Sequence, residues 1–349
     1  MSAGQLLIVG FEGRTLPNDL AQRLREERVG GTILFAHNLG TPAEVAALVD
    51  AMGAAASAGP PPIVSIDQEG GRVQRLKAPL AVWPPMATVA ARGDERMCEA
   101  VGRGLGEELR LFGFNVDYAP VLDVRSNPAN QVIGDRAFGS TPETATRLAL
   151  AFWRGLEASG MRGCGKHFPG HGDTVGDSHL ELPRLDASIE RLRAVELPPF
   201  VAAVRAGMGM LMTAHVVFSA VDDRPATLSH HWIQRLLRED LGFRGVVLSD
   251  DLDMKAVADH YPVREVIFEA LAAGVDAFLA CRDPEIQRQA EQALDEASRS
   301  SALAERVTDA QKRLRQFRTT LAPVRSVGAE RLARALPDLA HEALADSIR

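Results

Sequence analysis

Cysteine is scarce in this chain, with three residues, Cys98, Cys164 and Cys281, in 349. Thiols so few and so scattered build neither a disulfide framework nor a zinc ribbon, so they read as small core residues. Apolar runs of membrane length are missing too, since a spanning helix needs about 20 such residues. The opening stretch Met1-Ser2-Ala3-Gly4-Gln5 has no basic region, and the apolar run behind it, Leu6–Gly10, is too short for a signal peptide. The expected location is therefore cytoplasmic, with no membrane partner. A formal net charge of −7, with arginines interspersed among acids, argues against a nucleic-acid footprint. No repeat, low-complexity tract or linker marks a second domain, and no obligate protein partner is evident.

What the chain does have is 46% hydrophobic residues, enough to bury a large core. Short apolar, β-branched runs alternate with longer stretches of helical period. The strand candidates are Leu6–Gly10, Thr32–Phe35, Ile63–Asp67, Asn115–Pro120, Gly163–Phe168, Met210–His215, Val246–Asp250 and Ala277–Cys281. Helices are expected between them at Pro17–Arg28, Pro42–Ala56, Glu95–Phe112, Pro142–Ser159, Ser188–Ala206, His230–Asp240 and Pro262–Ala273. The alternation fits an α/β fold, a single (β/α)8 barrel of TIM type with room for irregular strands. Extra C-terminal helices follow at Pro284–Ser298, Ala302–Thr319 and Ala329–Ala345. One domain would cover residues 1–349, with a core over about 6–320 and a helical tail over about 321–349. An open doubly wound sheet stays possible, because counting runs does not show closure.

Polar residues gather where the strand candidates end. Asp67 closes the third run, Asp117 lies in the fourth with Asp123 beyond it, and Lys166-His167 lies in the fifth. The sixth run ends at His215 and the seventh at Asp250, followed by Asp251. In a barrel these ends share one mouth, where such folds keep their active sites. The fifth run leads into the Gly- and Pro-rich stretch Gly165–His179, which holds three of the nine histidines with Asp173 and Asp177. Such a segment reads as a loop, and loops on rigid scaffolds concentrate catalytic side chains. Asp250, at the end of a buried strand beside Ser249, is the candidate nucleophile. Asp251 is its rival, turned to the opposite face by strand alternation.

Four motifs carry a resemblance. They are Asp67-Gln68-Glu69-Gly70-Gly71-Arg72-Val73-Gln74-Arg75, Gly134-Asp135-Arg136-Ala137-Phe138-Gly139, Lys166-His167-Phe168-Pro169-Gly170-His171-Gly172 with Asp177-Ser178-His179, and Phe243–Met254. Their combination resembles glycoside hydrolase family 3, and within it the short single-barrel bacterial β-N-acetylglucosaminidases of cell-wall recycling. The likeness runs from about Leu6 to about Cys281. It implies a retaining exo-β-N-acetylglucosaminidase that removes terminal β-linked N-acetylglucosamine from peptidoglycan fragments, with a carbohydrate substrate, no cofactor and no metal. It makes Asp250 the nucleophile, His179 the proton donor and acceptor, and Asp177 the partner that orients and tunes His179. It makes Asp67, Arg75, Arg136, Lys166 and His167 the sugar-binding set. Asp117 and His215 are further candidates for the pocket wall or its support, while His171 and Asp173 are expected to hold the loop's shape.

Three other readings start from the same residues. A metal-dependent hydrolase would use His167, His171, Asp173, His179, His215 and Asp250 as ligands, though a compact His-x-His pair is absent. A β-N-acetylglucosaminide phosphorylase would keep the site and change the acceptor, since a histidine acid does not repel phosphate. A sugar-binding module without activity would dispense with Asp250, His179 and Asp177. A broader β-glycosidase of the same family remains open as well, because the 2-acetamido pocket is not legible in the residues.

Overall fold

A computed structural model describes residues 2–349 apart from 57–58 and 176–181. Its centre is a parallel sheet whose strands we number in chain order. They are β1 (Leu7–Val9), β2 (Gly31–Leu34), β3 (Ile63–Ile66), β4 (Val116–Asp117), β5 (Arg162–Gly163 continuing after Cys164 as Gly165–Phe168), β6 (Met210–Thr213), β7 (Val246–Asp251) and β8 (Ala277–Ala280). All of the pairings between them are parallel.

The sheet closes at β5. Its first half pairs with β4 through Val116↔Arg162, and its second half pairs with β6 through Leu211↔Gly165. Only Cys164 separates the halves, and its N–H lies 2.9–3.0 Å from the carbonyls of Ala119 and Asp117. With β1 paired to both β2 and β8, the eight strands form a ring. The expected single (β/α)8 barrel is therefore what forms, and the open sheet is excluded. Every residue of β1, β2, β3, β6 and β8 is buried, as parallel strands covered by helices require.

Local chemistry sets where the helices begin. Thr41, Thr141 and Asp283 cap helices whose first residue is a proline: Pro42–Ala55, Pro142–Ala158 and Pro284–Arg299. Proline suits that position because the first N–H has no helical partner to lose. Two expected helices are each interrupted. Ser188–Ala206 is broken into Ile189–Ala194 and Pro198–Arg205, and Ala329–Ala345 into Ala329–Ala335 and Leu339–Ile348. The prolines at 198, 199 and 337 explain both breaks, since the ring clashes with the carbonyl four residues earlier.

The N-terminal face of the barrel is clamped by Asp276, fully buried before β8. Its carboxylate binds Arg238, Arg306 (2.5 Å) and Arg313 (3.2 Å), and accepts the N–H of Val247 (2.9 Å). The C-terminal segment lies on the outside, where Ser326 bonds both oxygens of Asp50 (2.7 Å each) and His341 stands 3.3 Å from Glu107. Among the described residues no helix is long and apolar enough to cross a membrane.

Candidate active site

The opposite, C-terminal face carries a cavity of about 590 Å³. Side chains from the ends of seven strands enter it: Ile33 and Phe35 from β2, Asp67 and Glu69 beyond β3, Tyr118 beyond β4, Lys166 and His167 from β5, Met212 from β6, Asp250 and Asp251 from β7, and Leu279 and Cys281 from β8. Arg75, Arg136 and His171 complete much of the wall. Behind Tyr118 the buried Ser65 hydroxyl lies within 2.9 Å of both the Thr32 carbonyl and the Tyr118 hydroxyl.

One wall is a chain of alternating charges. Lys166 Nζ stands 2.8 Å from Asp67 Oδ1 and 2.6 Å from Glu69 Oε1. Arg136 grips Glu69 with two parallel bonds of 2.8 Å, from Nε and from its terminal nitrogen. Arg75 sits 3.7 Å from the second Asp67 oxygen. Burial pushes the Glu69 carboxyl up, but the Arg136 and Lys166 charges outweigh it and hold Glu69 well below the usual carboxylate range. In return the carboxylates overcome burial at Lys166 and raise its proton affinity. Glu69, Lys166 and Arg136 thus hold one another charged, and the network presents fixed donors and acceptors of the kind that bind sugar hydroxyls.

The ribbon carrying Glu69 is a short antiparallel pair, Gln68–Gly70 with Val73–Gln74. It is pinned by Asp117, whose Oδ1 accepts the Gln68 N–H (2.9 Å). Burial raises the Asp117 carboxyl well above its ordinary pKa. Asp117 lies behind the cavity wall, in support of it.

A second hub is Asp123, fully buried after β4. Its carboxylate meets His167 Nδ1 at 2.7 Å, the His167 N–H at 3.2 Å and the His171 N–H at 2.7 Å. Burial opposes its ionisation, but the two imidazoles and these donors win and lower its pKa. His171 is braced further by Thr174 (2.7 Å to Nδ1) and by Asn130, which donates to its carbonyl (2.7 Å). Burial, then the neighbouring His167, pushes the His171 imidazole down to about 4. Gly172 lets the loop press against the β4 side, since a Cβ there would lie 1.7 Å from the Val124 carbonyl oxygen. Asp173 is held by Arg191 at 3.4 Å.

The two adjacent acids of β7 have different surroundings. Asp250 faces the cavity, and its Oδ1 accepts the Asp251 N–H (2.8 Å). Asp251 Oδ1 accepts the N–H groups of Asp253 and Cys281, both at 3.1 Å, and so ties β7 to the turn after β8. Burial and the Asp253 carboxylate raise the Asp251 pKa well above normal. A carboxyl whose Oδ1 is engaged by two backbone N–H groups is poorly placed to act as a nucleophile. The Ser249 hydroxyl accepts the Leu279 N–H (3.2 Å), a contact between strands. His215 sits beneath, with Nε2 3.2 Å from the Asp251 carbonyl and Nδ1 2.8 Å from Thr227, and burial lowers its pKa.

Six of the eight site residues singled out in the sequence thus line one cavity: Asp67, Arg75, Arg136, Lys166, His167 and Asp250. Asp177 and His179 lie outside the described residues. Two residues were passed over. Glu69 stood two places from Asp67 inside a quoted motif, a signal that could have marked it. Asp123 had only its place after the fourth run. Among the described residues no group of His, Cys, Asp and Glu side chains is arranged to hold a metal ion.

Comparison with known proteins agrees with this geometry. Residues 2–317 match the N-terminal domain of glycosyl hydrolase family 3. The chain is 40% identical over 285 residues to a β-hexosaminidase of Alkalilimnicola ehrlichii, covering 80% of this chain and 81% of that one. It is also 40% identical over 300 residues to a β-hexosaminidase of Methylococcus capsulatus, covering 84% and 88%. Among solved structures, NagZ from Neisseria gonorrhoeae in complex with N-trifluoroacetyl-D-glucosamine superposes with a TM-score of 0.80 at 33% identity, covering 98% of this chain and 96% of that one. A family 3 β-N-acetylglucosaminidase from Paenibacillus gives 0.90 at 38% identity, covering 99% and 67%. Family match, relatives and superposed structures agree with the ring of eight strands: the chain is a glycoside hydrolase and belongs to glycosyl hydrolase family 3.

Proposed function

We propose that this chain is a cytoplasmic, retaining exo-β-N-acetylglucosaminidase that removes terminal non-reducing β-linked N-acetylglucosamine from peptidoglycan fragments, GlcNAc-1,6-anhydroMurNAc with or without peptide. The observation that carries the reading is Asp250, a carboxylate on a barrel strand, facing a cavity whose wall is the ion-paired Asp67–Lys166–Glu69–Arg136 network. The β-hexosaminidase relatives and the N-trifluoroacetyl-D-glucosamine complex of the gonococcal NagZ support the acetamido sugar as substrate.

In this mechanism the network and His167 hold the sugar, and Asp250 attacks the anomeric carbon to form a glycosyl ester. His179, oriented and kept basic by Asp177, protonates the leaving oxygen and then activates water for the second displacement. One domain of 349 residues suffices, with the helical tail packed on its outside.

Turnover of aryl β-N-acetylglucosaminide beside the glucoside and xyloside tests the substrate, and equal or better cleavage of the glucoside sinks it. A 2-fluoro sugar inactivator tests the covalent step. It should label Asp250; label on Asp251 would move the nucleophile to that residue, and no label while activity persists would leave the acetamido group as the nucleophile. For the dyad, His179→Ala should steepen the dependence of the first step on leaving-group pKa, and a slope parallel to wild type would remove His179 from the role.

A further inference from the structure

Inside the cavity every cation is answered by an acid or an acceptor. Lys166 and Arg136 are bound to Asp67 and Glu69, and Arg75 stands beside Asp67. On the rim, Arg72 is paired with Asp135 at 3.0 Å and donates to the Val132 carbonyl. Arg282 differs. It is exposed, it lines the cavity, and among the described residues its guanidinium has neither a carboxylate in ion-pair range nor a hydrogen-bond acceptor.

Its position is nonetheless fixed. The Arg282 N–H donates to Asp253 Oδ2 at 2.8 Å, and the N–H groups of Cys281 and Asp283 bond the same carboxylate at 2.6 and 3.1 Å. The guanidinium stands 6.0 Å from the centroid of the Phe35 ring, while Arg75 stands 5.9 Å from that centroid. Phe35 is a half-buried lining residue, so it offers an apolar face between an inner, neutralised arginine and an outer one without a counter-ion.

We propose that Arg282, with Phe35 beneath it, selects a leaving sugar that carries a carboxylate: the sugar ring lies against Phe35 and the guanidinium binds the acid. The proposal rests on the β-N-acetylglucosaminidase reading and deepens it by assigning the specificity of the leaving-group side to one residue. A guanidinium on a solvated rim gives selectivity and a salt-dependent rate more than raw affinity.

The test uses the full chain and three substrates: N-acetylglucosamine β-1,4-linked to N-acetylmuramic acid, the same disaccharide with its carboxyl converted to a methyl amide, and an aryl β-N-acetylglucosaminide. Wild type should prefer the acid over the amide by about fivefold in kcat/KM, the scale of a well-placed exposed charge contact. Arg282→Gln should erase that preference through KM while leaving the aryl substrate and the amide unchanged, and Arg282→Lys should keep part of it. Raising salt to about 0.5 M should narrow the wild-type preference in the same way. Equal losses on acid and amide, or no loss on the acid, overturn the role of Arg282. Failure of wild type to cleave the aryl β-N-acetylglucosaminide would instead overturn the underlying activity, and the proposal with it.

Discussion

Glu69→Gln should be among the most damaging single changes in the cavity wall. Glu69 is 2% exposed and holds two cations at once, Lys166 at 2.6 Å and Arg136 through two bonds of 2.8 Å. The amide keeps one acceptor but sets an NH2 against one of the guanidinium donors and removes the charge that balances both cations. Leaving a buried ion without its partner costs about 3–5 kcal/mol in other proteins; retention of one acceptor places this case near ~3 kcal/mol. For a chain of this size that is a Tm lower by roughly 5 °C. Because the same charges fix Lys166 and Arg136, affinity for N-acetylglucosamine should weaken by about tenfold as well. The folded pKa is depressed from 4.5, so the stabilisation is complete above that pH and is lost as pH falls below it. The gap between variant and wild type should therefore shrink in acid. Glu285→Gln is the control: Arg288 draws that carboxylate down to about 2, yet it is fully exposed, and its loss should not shift Tm measurably. Thermal unfolding and titration calorimetry read both effects. A Glu69→Gln protein with unchanged Tm and unchanged sugar affinity would refute the reasoning.

Asp251→Asn should retain activity within about tenfold, because an amide oxygen can still accept the N–H groups of Asp253 and Cys281; Asp250→Asn should lose several orders of magnitude in kcat, and similar losses in the two would contradict the division of roles. Gly172→Ala should cost about 1–3 kcal/mol in denaturant unfolding, since the added methyl meets backbone at Val124 that has nowhere to move. Stability should also decline on acidification between pH 6.5 and about 4, because the unfolded chain protonates His171 near the upper value and the folded one only near the lower. That term is at most about 3 kcal/mol, and His171→Asn should flatten this part of the pH–stability curve; an unchanged slope would assign the acid sensitivity elsewhere.

The sequence by itself determined the elements and the residue inventory. Buried parallel strands declare themselves as short apolar runs, so all eight were legible, with ends displaced by two or three residues at most in the described chain. Strand ends with Asp67, Lys166 and Asp250 marked the catalytic face because barrel strands all point one way. The breaks at Pro198 and Pro337 were legible too, because a proline ends a helix locally even where apolar periodicity continues past it. Closure of the ring was decided only in three dimensions, when a strand interrupted at Cys164 paired with β4 by one half and with β6 by the other. That closure brings Asp67 and Lys166, 99 residues apart, to 2.8 Å. It also decides that Asp251, which reaches the same cavity as Asp250, is engaged with the turn after β8. Charge partnership is a property of distance in space. The positions of Glu69 between two cations and of Asp123 under two histidines therefore exist only once the chain has folded.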